Sequence, residues 1–198
     1  MQWLWINWSG VLLGAYLIGG IPTAYLAGRL IKGADIRELG DRNAGAANVF
    51  RNIGRKAGLA VGAVDIAKGA AAVILAKSVL DSVTAEMIAG GLVVAGHNWP
   101  VHLKFRGGRG AATAVGVLLA TIPMLTLPLG LISLVILYFT KKATIPLAFF
   151  LILVPFMAWW PMGYSYPLIG YSLFIPLLVG ASHYLSIRRL ATLEPEEG

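Results

Sequence analysis

The chain contains no cysteine, which excludes disulfides, thiolate nucleophiles and cysteine metal sites. Charge is scarce as well: 13% of the 198 residues are Asp, Glu, Lys or Arg, against 58% hydrophobic. The apolar residues come in runs rather than in the periodic stripes of a soluble core, so the composition is that of an integral membrane protein. A hydrocarbon core of about 30 Å takes roughly 20 helical residues per crossing, which leaves no room for a separate soluble domain. We read residues 1–198 as a single polytopic transmembrane domain of the all-α class. The net charge of +7 lies in short segments between apolar runs, which favours topology and anionic ligands over nucleic acid as its explanation.

The N-terminal stretch lacks the basic start of a cleaved leader and predicts a retained first helix, with Trp3, Trp5 and Trp8 at a membrane–water interface. The first crossing is expected from about Trp8 to Ile31. Lys32 to Lys56 follows with six of the sixteen Lys/Arg residues, so the positive-inside rule puts it in the cytoplasm and the N-terminus outside. Further crossings are expected at Ala57 to Ala76 and Met87 to Leu103. Ala111 to Thr140 is uncharged over 30 residues. It predicts a hairpin of two short helices turning near Ile122 to Pro128, with one tilted helix as the alternative. The run from Ala143 to Ile187 divides at the aromatic, proline-rich stretch Trp159 to Pro167. The expectation is about seven transmembrane helices with a cytoplasmic C-terminus.

The stretch FRGGRGAAT, Phe105 to Thr113, joins a glycine-rich turn to a helix start. Such a start offers backbone N–H groups and a positive dipole end to an anion. Gly107, Gly108 and Gly110 allow close backbone approach, and Arg109 can add a bidentate contact. Phosphate is the ligand this chemistry suits, although a loop gripping lipid headgroups would have the same composition. The P-loop spacing is absent. In GDRNAGAANVFRNIG, Gly40 to Gly54, the residues Asn43 and Asn48 with Arg42 and Arg51 suit an oxygen-rich ligand, or serve only the turns of a capped loop. Asp65 and Lys68 are three apart on one helix face and predict a structural ion pair. His183 and Ser186 end the final crossing on the cytoplasmic side. No carboxylate stands at metal-ligand spacing from His97 or His102, so no metal is assigned.

NAGAANVFRNIGRKAG, DIAKG and GHNWPVHLKFRGGRGAAT, followed by a late interfacial histidine, occur in an order that resembles the bacterial membrane glycerol-3-phosphate acyltransferases that use acyl-phosphate donors. The resemblance runs from Gly10 to Leu190. Arg106 and Arg109 stand where that family usually has lysines. It implies seven helices, a multi-pass protein of the plasma membrane and an active site facing the cytoplasm. The implied reaction moves a fatty acyl group from acyl phosphate to the 1-hydroxyl of glycerol 3-phosphate, giving lysophosphatidate and phosphate without a cofactor. Membrane lipids are then partners and nucleic acid is not.

By the same resemblance, Arg51, Arg109 and His183 hold the acceptor phosphate as the catalytic set. Asn43, Asn48, His97, Arg106, Gly107, Gly108 and Ser186 line the substrate pocket. The chemistry is expected to be direct attack with a substrate phosphate oxygen as base. Three stretches depart from the family pattern: Gly40-Asp41 replaces Gly-Ser, Leu147 replaces a serine, and Ser182 and Ser186 replace an arginine and an asparagine. They leave open a relative of weak activity that binds lipid or partners an active enzyme. A small anion or lipid-headgroup transporter ranks last, since the halves show no repeat.

Overall fold

The computed structural model describes residues 2–142, 144–160 and 162–191, and the described residues are helical with no strand among them. Nine α-helices follow in order: α1 (Gln2–Gly20), α2 (Thr23–Lys32), α3 (Ala46–Asn52), α4 (Arg55–Leu80), α5 (Val83–Asn98), α6 (Ala111–Thr121), α7 (Pro123–Thr140), α8 (Thr144–Trp159) and α9 (Tyr166–Ala191). Short 3-10 turns lie at Ile36–Glu38 and Val101–Leu103. Four segments are long and apolar enough to cross a membrane: Ile6–Lys32, Arg55–Leu80, Pro123–Thr140 and Tyr166–Arg189. Ala111–Thr121 and Thr144–Trp159 are shorter apolar helices. Leu30, Met124, Leu131, Tyr138 and Phe139 are among many large apolar side chains left exposed, as a surface solvated by lipid requires.

Several expected boundaries move, each at a residue with a physical reason. The first crossing, read as continuous from Trp8 to Ile31, is broken between Gly20 and Thr23. Pro22 has no N–H to give the helix and restricts the residue before it. The third, read as Met87 to Leu103, is helical only to Asn98, because Pro100 disfavours helical geometry at Trp99. In the 30-residue run the break falls at Ile122, ahead of Pro123, whereas Pro128 is accommodated inside α7. The Thr126 hydroxyl donates to the carbonyls of both Ile122 and Leu118. A straight helix would hold positions 118 and 126 about 12 Å apart along its axis, so the chain bends sharply at Ile122. Ala143 and Pro161 lie outside the described residues, as do the side chains of Trp3 and Trp5. Trp8 packs half-buried on the main core.

Lipid supplies no hydrophobic drive between helices, so close packing must do the work. Two crossings show it. A side chain at Gly19 or Gly96 would meet the backbone of Val93 or Tyr16 respectively, which brings α1 against α5. Gly69 and Gly116 bring α4 equally close to α6, against the backbones of Thr113 and Ile66. A core of Val93, Val94, Val117, Leu118, Phe150, Val154 and Ile175 fills the bundle. A second, smaller core of Ala24, Ile36, Ala44, Val49 and Val61 lies beneath the loop from residue 33 to 54. Ile36 and Val49 are fully buried there, each worth about 1.5–3 kcal/mol. That small core makes the polar loop a fixed structure and not a tether.

Candidate functional site

Asn48 holds the loop in shape. Its side-chain amide, fully buried, donates to the carbonyls of Ile36, Leu39 and Asn43, and its oxygen accepts from Asn52. All of its polar atoms are therefore engaged within the loop, where a ligand contact had been expected. Asn43 is buried beside Gly45. Gly40 has φ +54°, and a side chain there would collide with the Asn48 and Asn52 amides, so the turn carrying Asp41 needs glycine for two reasons. Asp35 locks the start of the loop: Arg37 makes a bidentate pair with it, at 2.7 Å for the closest contact, and also donates to the Leu103 carbonyl. The Arg37 guanidinium holds the Asp35 carboxyl below its ordinary value.

The glycine-rich turn is packed by the protein itself. A Cβ on Gly107 would strike the His97 carbonyl, and one on Gly108 the His97 ring and the Ala44 carbonyl. The N–H groups of Gly107 and Gly108 donate to the carbonyls of Asn98 and His97. These two glycines are thus needed for internal closeness, and their N–H groups are taken up by backbone carbonyls. The donors left over belong to the first turn of α6, which Gly110 opens with φ +80°. Around that helix start, the Asn98 amide and the Thr113 hydroxyl are buried with no hydrogen-bond partner among the described residues. Buried polar groups left so cost about 1–3 kcal/mol each. Neither was anticipated; Asn98 stands beside His97 in the quoted motif, but nothing in a linear reading says that its side chain turns toward Gly110.

Arg51, Arg109 and His183 converge although they come from α3, the α5–α6 connection and α9. Asp41 joins them: its Oδ2 accepts from Arg51 at 2.8 Å and lies 3.7 Å from Arg109. His183 is exposed on α9, near Arg109 and Asp41. Ser186 is half-buried one turn beyond it, and Arg106 is exposed. Leu147 is half-buried in the first turn of α8.

His97 faces away from this group. Its Nδ1 is 3.6 Å from Asp65, which also accepts from the Thr23 hydroxyl at 2.7 Å and pairs with Lys68 at 2.8 Å. Lys68 in turn donates to the Ile21 carbonyl, an acceptor released by the Pro22 break. Asp65 and Lys68 are both buried, so the pair ties α4 to the α1–α2 break and, through His97, to the glycine-rich turn. Between α5 and α9 runs an apolar groove of about 580 Å³, lined by Leu92, Ala95, Gly170, Tyr171, Phe174 and Leu178 among others. No group of three or more potential metal ligands occurs among the described residues.

These features define a class: an all-helical, multi-pass membrane protein with an arginine cradle on its polar loops and an apolar groove between α5 and α9. The family model for glycerol-3-phosphate acyltransferase matches residues 9–193, and the chain belongs to that family. It is 44% identical over 184 residues to glycerol-3-phosphate acyltransferase 4 of Dehalococcoides mccartyi, covering 90% of this chain and 96% of that one. Glycerol-3-phosphate acyltransferase 1 of the same organism is 37% identical over 185 residues, with 90% of this chain and 88% of the other covered. Its fold is similar to crystal structures of PlsY, an integral membrane glycerol 3-phosphate acyltransferase. The glycerol 3-phosphate form superposes with TM-score 0.80 at 31% identity, covering 93% of this chain and 92% of that one. The lysophosphatidic acid form gives 0.78 at 30% identity, with the same coverage.

Proposed function

We propose that the chain transfers a fatty acyl group from acyl phosphate to the 1-hydroxyl of glycerol 3-phosphate, forming lysophosphatidate and inorganic phosphate. The observation that carries this is the meeting of Arg51 and Arg109 around one anion, with His183 near them and the unpartnered Asn98 and Thr113 side chains at the α6 start. The groove volume is within the roughly 300–1,000 Å³ of small-molecule sites, and its apolar lining suits an acyl tail. The α6 helix has 11 residues, so it rises only about 16 Å from its start to the Ile122 turn. That is about half the hydrocarbon thickness, and it draws the phosphate cradle below the surface to meet the head of a lipid.

In the reaction, the acceptor hydroxyl oxygen attacks the acyl carbon. The bond from that carbon to the phosphate oxygen breaks, and the hydroxyl proton passes to the departing phosphate. Arg51 and Arg109 hold the acceptor phosphate and fix the approach, which supplies most of what an already activated donor needs. The α6 N–H groups and the Asn98 and Thr113 side chains are the donors available to the charge that develops on the carbonyl oxygen.

The topology belongs to the same reading. Seven crossings place the N-terminus outside and the C-terminus in the cytoplasm of a plasma-membrane protein. They comprise the span from 6 to 32, taken across its break, and then α4, α5, α6, α7, α8 and α9. Residues 1–198 form one catalytic domain. Impermeant labelling of a Lys142→Cys variant from inside, and not from outside, is the expected result.

The decisive assay is phosphate release from acyl phosphate by the purified protein in a lipid nanodisc. Release is expected only with glycerol 3-phosphate present, and Arg109→Ala should abolish it. Acceptor-independent release, or none while lipid still binds, would replace this reading with that of a binding relative.

A further inference from the structure

A carboxylate occupies the cradle that the proposed reaction needs for phosphate. Asp41 Oδ2 accepts from Arg51 at 2.8 Å, with Arg109 on its other side at 3.7 Å. Its second oxygen, Oδ1, is buried with no hydrogen-bond partner among the described residues, and so is the Nε of Arg109. The arginines therefore hold the carboxylate loosely: one strong hydrogen bond, one longer contact, and unused capacity on both sides.

The backbone beneath it is held firmly. Gly40 and Arg42 flank Asp41 in left-handed conformations, at φ +54° and +53°. The Asn48 amide clamps the carbonyls of Leu39 and Asn43 on either side of this turn. Moving Asp41 out of the cradle thus requires only rotation of a short side chain, with no change in the loop.

From this we infer that Asp41 is an internal counter-anion, which occupies the Arg51–Arg109 cradle at rest and is displaced by the phosphate group of a substrate. The inference rests on the transferase reading for its consequence in turnover, but not for the binding competition itself. A phosphate monoester offers two charges and several acceptor oxygens to guanidinium groups built for bidentate contact, where Asp41 offers one charge. The substrate therefore prevails, at an affinity lowered by the competition. The residue sets how tightly the acceptor phosphate is held and eases departure of the acylated product that carries it. Weak ground-state binding of that kind is compatible with fast turnover.

The test is titration of inorganic phosphate and, separately, glycerol 3-phosphate into the full-length protein in nanodiscs by calorimetry. Asp41→Asn, Asp41→Ser and Asp41→Glu are compared with the wild type, and thermal unfolding confirms that each is folded. Asp41→Asn should bind phosphate on the order of tenfold more tightly, and Asp41→Ser should do the same, which covers failure of either variant to fold. Asp41→Glu keeps the charge and should stay near the wild type. In turnover, KM for glycerol 3-phosphate should fall and inhibition by inorganic phosphate should strengthen. Unchanged or weaker phosphate binding in both neutral variants would overturn the inference and make Asp41 a support that positions Arg51. Tighter phosphate binding without any acyl transfer would uphold the counter-anion and overturn the transferase reading, whereas transfer with unchanged phosphate binding does the reverse.

Discussion

Two aspartates, Asp41 and Asp65, are each paired with a cation, Arg51 in one case and Lys68 in the other, and their surroundings differ sharply. Asp65 is buried within the bundle with Lys68, the Thr23 hydroxyl and His97 converging on one oxygen, and Lys68 is further held by the Ile21 carbonyl. Asp41 lies near the end of the bundle, a third exposed, beside an Arg51 side chain that is 55% exposed. Its Oδ1 has no hydrogen-bond partner among the described residues. A carboxylate that is fully enclosed and matched holds helices together, because releasing it would strand a charge in a low-dielectric interior. One that is half-solvated and under-coordinated can be exchanged for another anion.

The largest expected effect comes from breaking the enclosed pair. Lys68→Met leaves Asp65 buried without its counter-charge and should cost about 3–5 kcal/mol. Thermal unfolding in nanodiscs should show a large loss in Tm, and adding Asp65→Leu to the same chain should recover part of it. If Lys68→Met leaves Tm unchanged, the contrast between the two aspartates is void.

Arg109→Ala is the converse. It removes a charge-assisted contact in the open cradle, worth roughly 1.5–3 kcal/mol. Affinity for glycerol 3-phosphate should fall about 10- to 150-fold while Tm stays within a degree or two of the wild type. A fall in Tm comparable to that of Lys68→Met would show that both clusters are fastenings.

The smallest effect concerns Asp35, whose carboxyl Arg37 holds below the ordinary value. A depressed carboxylate contributes stability at pH values above its unfolded pKa of about 3.9, and that contribution is lost as pH falls through the lower folded value. The Tm difference between wild type and Asp35→Asn should therefore be constant from pH 5 to 7 and shrink below about pH 4. A difference that grew on acidification would have the wrong sign.

The chain itself specified much of this. Runs of uncharged apolar residues with basic segments between them dictate a polytopic helical membrane protein, because backbone polar groups in lipid must be satisfied within each helix. The i, i+3 spacing of Asp65 and Lys68 announced one helix face, and the glycine-rich turn announced the helix start that follows Gly110. The helix breaks were harder to read. Pro22 and Pro123 stand at helix breaks while Pro128, Pro155 and Pro176 lie inside helices, so proline by itself does not say where a helix stops.

Only the tertiary structure decided which polar residues face one another. Asn48 is claimed by three loop carbonyls, Gly107 and Gly108 by His97, and His97 by Asp65. Meanwhile Asp41, the residue that departs from the expected pattern, stands between Arg51 and Arg109. Spacing along a helix determines which face a side chain takes. Which of two compatible anions a guanidinium meets depends on how separate segments pack, and the 10-position separation of Asp41 and Arg51 and the two helices joining them to Arg109 carry no local signal of that meeting.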